Sequence, residues 1–500
     1  MKWNFNNRRV REMKSNRFFA ALLSLAAVSC TITEVDRMAV VAPSSEEVFH
    51  AVFGDASSEG TKVYVDEDVK LLWNADDRIS IFNKKDANEE YRFIGDTGDN
   101  GGDFKRVNSV SEEGVSIDHI YAVYPYNEST SFNTDGGTLS VTFPEVQTYR
   151  VGTFGPGANA MVSATDDNLL QFRNLGGYLV FKFYGEGISV SSVILESVNG
   201  EILSGDATVS MEVGGEPTVT MSSEGNTSLT LHCETPVTLG ATKEEAVTFW
   251  MVLPPTDFTE GFTLRVIDSE GRMYIKKTTA SVSIVRNRVR RIAAIEVDPT
   301  YVYFEDEGFG KYCLWLYDLD GDGEISLEEA ADDGMASMID FTMGGEGCEN
   351  EIRSLKGIEY FVSLTDLDLD WDDTWPLALT DLDLSQNTKL SWLSISDMPG
   401  LTSLDLSHNK ELETLMLSGL SLNNLDLSQN TALETVNFNS LGITSLDLSQ
   451  NTALTSVYVL NIGDDTRIET VYVNAEQDYS GWKFVYLPGG EYTPEFIVKE

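Results

Sequence analysis

The phrase "LTSLDLSHNKEL" (401–412) has three near-copies, "LTDLDLSQNTKL" (379–390), "NNLDLSQNTAL" (423–433) and "ITSLDLSQNTAL" (443–454). Together they set Asn387, Asn409, Asn430 and Asn451 in register at intervals of about 21 residues. A weaker phrase lies between the copies: "LSWLSI" (390–395), "LETLML" (412–417), "LETVNF" (433–438) and "LTSVYV" (454–459). A coil this short, with an extended segment in each half, leaves little room for helix and reads as a leucine-rich solenoid. Its leucines fill the core. The asparagine column reads as turn residues that satisfy backbone groups rather than as a binding site. Asp383, Asp405, Asp426 and Asp447 stack on one face, which is expected to be acidic and hydrated.

Working outward, the array spans 351–465, and "YVNAEQDYSGWKFVYLPGGEYTPEFIVKE" (472–500) abandons the repeat, so 466–500 is expected to seal its C-terminal end. At the irregular first coil, Trp371, Trp375 and Trp392 lie near Asp370, Asp372 and Asp373. Exposed aromatics of this kind stack on sugars or anchor a protein partner, and they serve equally well as a cap on the core. These three tryptophans are the candidate ligand-binding residues.

Just before the array stands "DLDGDGEISLEE" (318–329). Asp318, Asp320 and Asp322 offer carboxylates at loop positions 1, 3 and 5, and Gly323 permits the turn at 6. Glu324 offers its carbonyl at 7, Ser326 stands at 9, and Glu329 is the bidentate carboxylate at 12. The pattern predicts an EF-hand-like calcium loop within a helix-loop-helix over 299–350. Phe309, Tyr312, Cys313 and Leu316 share one face of the entering helix, and a capping box from Ser326 to Glu329 starts the exit helix, which ends near Gly334. Calcium sensors open a pair of such units; this chain has one loop and a short exit helix, so the expected role is a structural calcium clamp at a joint.

Residues 48–298 are short alternating runs broken by Gly, Asn and Asp, such as "GTLSVTF", "GYLVFKFYG" and "FTLRVID". That pattern predicts two β-sandwiches, 48–165 and 166–298, with the joint near 158–168. The chain as a whole is therefore mainly β: two sandwiches, an EF-hand-like helix-loop-helix and a C-terminal leucine-rich solenoid.

Seven phrases carry a family resemblance by their order: "LLWNADDRISIF" (71–82), "IYAVYPYN" (120–127), "TFPEVQ" (142–147), "FGPGANAMVSA" (154–164), "LLQFRNLGGYLVFKFYG" (169–185), "WMVLPPTDFTEGFTLRVID" (250–268) and "SIVRNRVRRI" (283–292). This half of the chain resembles fimbrillin-like proteins, the pilus subunits and adhesins on the surface of Bacteroidota-type bacteria. The resemblance implies a two-sandwich lipoprotein carried to the outer membrane. In polymerising members a protease cuts after an Arg, for which Arg37 lies in the right region, and a strand from the next subunit fills the groove. Here some 200 further residues occupy the end that commonly supplies or positions the donor strand. The array resembles short leucine-rich arrays on surface proteins of the same bacteria, including the phrase "LKGIEYF" (355–361) that leads into it.

The N-terminus agrees with export. Lys2, Arg8, Arg9, Arg11, Lys14 and Arg17 precede the apolar run "FFAALLSLAAVS", which is too short for a permanent span. "AAVSC" resembles a lipobox, implying a signal peptide over 1–29, lipidation of Cys30 and a tether over 30–47. Several acyl chains on one residue are enough for stable anchoring.

Removal of 1–29 leaves 29 basic against 79 acidic residues, a charge of −50, which repels nucleic acid and anionic headgroups. With 42% hydrophobic residues and 10% aromatics, the acidity belongs to folded domains rather than to a disordered chain. Cys233, Cys313 and Cys348 form no full disulfide framework; Cys313 and Cys348 flank the loop and could pair, although buried thiols are the simpler reading. His50, His119, His232 and His408 are scattered, and no catalytic motif accompanies them.

A non-enzymatic, lipid-anchored surface adhesin is therefore expected, binding a protein or glycan through the array and displayed on the cell surface or in fimbriae. The alternatives are a fimbrial tip or accessory subunit partnered by other subunits, and a glycan-capturing surface lipoprotein.

Overall fold

The computed structural model describes residues 47–54, 71–108, 114–341, 351–370, 377–422, 424–462, 467–487 and 489–499. The chain is mainly β, as expected; among the described residues the α-helices are one of eleven residues, Glu307–Tyr317 (α1), and one of four, Leu327–Ala330 (α2). Among the described residues no helix is long and apolar enough to cross a membrane.

The first β unit differs from the sandwich expected for 48–165. Seven strands close into a barrel: Val48–Phe53, Leu169–Asn174, Met161–Thr165, Ser116–Tyr124, Arg78–Lys85, Glu89–Phe93 and Gly101–Arg106. Val48–Phe53 closes the ring because it pairs parallel with Leu169–Asn174 on one side and antiparallel with Gly101–Arg106 on the other. Trp73 fills the interior, with Phe53 stacked on it at 4.9 Å and Phe104, Tyr124 and Phe172 meeting it edge-on. A four-stranded sheet, Thr218–Met221, Gly205–Ser210, Thr138–Phe143 and Phe132–Asn133, supplies a second apolar layer outside the barrel. That layer explains why Ile120–Tyr124 and Met161–Thr165 are buried at every residue instead of alternating: both faces of these strands are covered.

The second β unit is a sandwich. Val247–Leu253, Gly177–Tyr184 and Val289–Arg291 form one sheet, to which Ile295–Glu296 adds by pairing with Gly177–Tyr184. The other runs Tyr301–Val302, Arg272–Lys277, Phe262–Asp268, Ser189–Ser197, Ser228–Thr238, Val146–Arg150 and Thr153–Phe154. Phe181, Phe183, Val193, Leu195, Leu229, Phe249 and Leu264 pack between them.

The expected boundary at 165/166 does not separate the two units, because strands cross it in both directions. Leu169–Asn174 completes the barrel, and Gly205–Ser210 pairs along its whole length with Thr138–Phe143. In return Val146–Arg150 pairs with Ser228–Thr238. Gln147 locks this exchange: its buried amide donates to the Val252 carbonyl at 2.7 Å and accepts from the Val252 N–H at 3.0 Å, as a backbone strand would.

The remainder is one solenoid. Met338–Asp340, Asp366–Leu369, Trp392–Ser396, Thr414–Ser418, Thr435–Asn439, Ser456–Ile462 and Lys483–Leu487 stack as a parallel sheet, and Gly490–Tyr492 covers its last edge antiparallel. The weaker sequence phrase forms this sheet. The stronger one supplies the opposite wall, where Ser445–Asp447 pairs with Thr470–Asn474 and then Glu495–Lys499. Two expected boundaries therefore move. The segment 299–350 is not a separate joint, since Met338–Asp340 is the first strand of the sheet and Phe309, Tyr312 and Ile325 share one core with the leucines. After the repeats, Thr470–Asn474, Lys483–Leu487 and Glu495–Lys499 add a further irregular coil to the two walls.

Candidate metal centre and display face

The loop Asp318–Glu329 sits where the sandwich meets the solenoid. Asp306 caps α1 by accepting from the N–H groups of Gly308 and Phe309. Phe309, Tyr312, Cys313 and Tyr317 are buried, with Leu316 half-buried, which matches the predicted apolar face with Tyr317 added. The capping box forms as read: Ser326 Oγ accepts from the Glu329 N–H, and Glu329 accepts from the Ser326 N–H. The helix it starts ends at Ala330, earlier than Gly334.

Asp318, Asp320 and Asp322 come together, with one carboxylate oxygen from each lying within 4.8 Å of the others. Gly321 and Gly323, at φ of 74° and 87°, give the loop its turns, in a region that disfavours side chains. Asp318 accepts from the N–H groups of Gly321 and Gly323, and Asp320 and Asp322 each accept from the N–H two residues on. These bonds hold three anions close together. A divalent cation would relieve that repulsion, so the donor set fits a hard, oxygen-seeking ion.

The side chains at the other three predicted positions make bonds within the loop and to the sandwich. Glu329 reaches across the loop to the N–H groups of Leu319 and Asp320 as well as to Ser326. Against the upward pull of partial burial, these donors hold its carboxyl below the ordinary value. Ser326 is used in the cap. The Glu324 side chain pairs with Arg265 of the sandwich at 2.7 Å.

That ion pair ties the loop to the sandwich, and three further contacts add to it. The Val302 N–H donates to the Ile325 carbonyl at 2.8 Å, the Leu327 N–H donates to the Thr300 carbonyl at 2.8 Å, and the Tyr301 hydroxyl donates to Asp322 at 3.3 Å. Tyr301–Val302 is itself the edge strand of the sandwich, paired with Arg272 and Met273. Sequence reasoning missed Arg265, because no local pattern marks a partner about 60 residues away.

On the solenoid the asparagine column is structural, as read. Asn387, Asn409, Asn430 and Asn451 are wholly buried. Asn430 donates to the Leu406 and Asn409 carbonyls and Asn451 to those of Leu427 and Asn430, so each amide bridges to the coil before it. Gln477 continues this ladder in the terminal coil by donating to the Leu448 and Asn451 carbonyls, a role hidden from the repeat search by the change of residue type. The aspartate column acts locally, since Asp383, Asp405, Asp426 and Asp447 each accept from the N–H of the serine two residues on.

The outer columns of the sheet vary in sequence. Ser394, Met416, Asn437, Tyr458 and Lys483 stand side by side, with Asn437, Tyr458 and Lys483 exposed. At the other end Asp340 and Asp368 are direct neighbours in register. Burial, with the charges of Asp370 and Asp340 adding to it, pushes the Asp368 carboxyl up to about 6. Trp392 is half-buried between Asp366 and Thr414. Trp371, Trp375, Cys30, Arg37 and Cys348 lie outside the described residues. Cys313 is buried and its thiol is pushed well up by burial; burial likewise raises the Cys233 thiol to about 12.

No protein-family model matches the chain. No curated protein matches it. Similar solved structures include a "putative cell adhesion protein" from Bacteroides uniformis, 16% identical, covering 50% of this chain and 94% of that one at a TM-score of 0.28. Another of the same description from Bacteroides ovatus is 20% identical over 42% of this chain and 80% of that one, at 0.26. Internalin C2 from Listeria monocytogenes is 18% identical over 39% of this chain and 93% of its own, at 0.23. TM-scores this low leave fold and function to be argued from the chain itself.

Proposed function

We propose that the protein is a non-enzymatic surface adhesin, tethered through a lipidated Cys30, that presents the outer face of its solenoid sheet to a protein or glycan partner. The observation that carries this reading is the mounting of the solenoid. The acidic loop stands just before the first strand of the solenoid and shares its core, and that loop is bonded to the edge of the β-sandwich through Arg265–Glu324 and the strand Tyr301–Val302. A Ca²⁺ ion at Asp318, Asp320 and Asp322, with the Glu324 carbonyl and Glu329 completing the set, would supply charge neutralisation and rigidity at this mount. An array held rigidly at one end, with variable residues on a regular backbone, suits recognition rather than catalysis.

The strand-exchanged pilus subunit is the second reading. One feature bears on it: a cut after Arg37 leaves Val48–Phe53 in the chain, and that strand already occupies the barrel wall on both sides.

The test is adhesion by cells displaying the full chain. Asn437→Arg combined with Tyr458→Ala on the sheet face is expected to abolish adhesion with surface display unchanged. Gln386→Ala with Gln429→Ala, at the turns, is expected to leave it intact. Undiminished adhesion by the face variant would overturn the reading. A heat-sensitive ladder on an unboiled denaturing gel would move the pilus subunit ahead.

A further inference from the structure

The two walls of the solenoid end differently. On the continuous sheet the last parallel strand, Lys483–Leu487, is covered by the antiparallel Gly490–Tyr492. The opposite wall ends in Glu495–Lys499, which pairs with Thr470–Asn474 on one side and with no strand among the described residues on the other. The Glu495 N–H donates to the Glu469 carbonyl, so in this parallel register Glu495, Ile497 and Lys499 direct their backbone groups towards Thr470–Asn474. Those of Phe496 and Val498 face the open side. Ile497 is 37% exposed and Val498 51% exposed.

An open strand edge is commonly guarded by a proline, a bulge or charged side chains. The sandwich shows the last of these. Val289–Arg291 is the outer strand of its sheet, and Arg288, Arg290 and Arg291 are exposed along it, so a second copy laid antiparallel would set Arg290 against its own equivalent. Glu495–Lys499 lacks that guard. It contains no proline and no shift of register, and its two ends carry charges of opposite sign.

We infer that Glu495–Lys499 is a homotypic docking edge, to which the same strand of a second copy of this chain adds antiparallel about a two-fold axis at Ile497. In that register the outward backbone groups of Phe496 meet those of Val498 in the second copy, and the reverse, as two hydrogen-bonded pairs. Ile497 faces its own equivalent in the non-hydrogen-bonded position between them. Glu495, whose carboxylate has no partner among the described residues, falls opposite Lys499 of the second copy. Lys499 is steadied by Asp447 at 2.5 Å and by the Tyr472 ring at 4.4 Å, and its half-exposed ammonium carries three donors. The contact is isologous and closes at two chains rather than growing. A five-residue edge is a small interface, so the pairing is weak in dilute solution and strengthens where copies are held close together. It uses a different surface from the sheet face and does not depend on what that face binds.

The test is cross-linking of the full chain, purified in detergent and oxidised with diamide. Cys233 and Cys313 are buried, and the parent chain sets the background. Ile497→Cys brings two thiols across the axis at a Cα separation of roughly 4.5 Å, which a disulfide accepts, so a linked dimer is expected on a non-reducing gel. Glu495→Cys and Lys499→Cys, each facing the other position, should link far more slowly. Adding Glu495→Lys to Ile497→Cys sets like charges opposite each other at both ends and should slow linking by roughly tenfold. Mixing that variant with one carrying Ile497→Cys and Lys499→Glu restores opposite charges and should return the rate. Val498→Pro, which removes an outward N–H and none of the bonds to Thr470–Asn474, should abolish linking independently of charge. No dimer from Ile497→Cys, equal linking at all three positions, or a link that survives Val498→Pro would overturn the inference.

Discussion

The two halves of this chain are held together by opposite strategies. In the β half, strands from either side of residue 165 complete each other's sheets, so every layer depends on residues far away in sequence. In the solenoid each coil is bonded to the one before it through a repeated amide, and contacts stay between neighbours. Entwining makes a unit that must unfold together, whereas stacking makes one that can fray from an end.

The largest effect that sharpens this contrast comes from Asn430→Ala. It leaves the buried Leu406 and Asn409 carbonyls without their side-chain donor, which costs roughly 2–5 kcal/mol for the pair. Urea unfolding followed by hydrogen exchange should show early opening confined to the solenoid. Gln147→Ala removes two buried bonds of the same kind from the β half, and there protection should fall across both β units together. If Gln147→Ala loosened only the strands next to Val252, the entwined half would not be cooperative.

Calcium comes next in size. At about a hundredfold above its dissociation constant, a bound ion adds about 2.7 kcal/mol to the stability of the state that binds it. Calorimetry with Ca²⁺ and then with excess chelator should move the solenoid transition and leave that of the β half nearly in place. Asp320→Ala with Asp322→Ala should abolish the shift; a shift that survived would mean that the ion binds elsewhere.

The smallest expected effect is electrostatic. The native Asp368 carboxyl, at about 6, is raised above its unfolded value. The folded state therefore binds the extra proton between about pH 4 and 6, and this group makes the solenoid less stable as pH rises through that window. Asp368→Asn should stabilise the solenoid at pH 7 by about 1 kcal/mol once solvent screening of a half-exposed group is allowed for. The gain should vanish near pH 4, and thermal melts at the two pH values measure it.

The same contrast governs what the sequence could reveal. The array was legible because its leucines and asparagines recur at fixed spacing, and spacing is local. Which phrase forms the continuous sheet was not: the more regular "LDLS" repeats for the sake of its turn, where aspartate takes the serine N–H, while the sheet-forming phrase varies at its outward positions. The three loop aspartates were readable because a twelve-residue loop carries its own geometry. The anchoring of that loop by Arg265 was not, and neither was closure of the barrel, which turns on the parallel pairing of His50 with Leu169. Pairings between distant segments leave no periodic trace.

The strand exchange also sets a timetable for a chain that emerges from its amino end. The barrel cannot close until Leu169–Asn174 has appeared, and the outer faces of Phe82, Tyr121 and Val123 wait for Gly205–Ser210 to complete their cover. For that interval a newly made chain carries an uncovered apolar wall and unpaired strand edges, the features that invite aggregation. The stacked half has no such wait, since each coil finds its partner already formed. A holding chaperone would therefore matter most over the first 221 residues, and the slowest step of biogenesis is expected there.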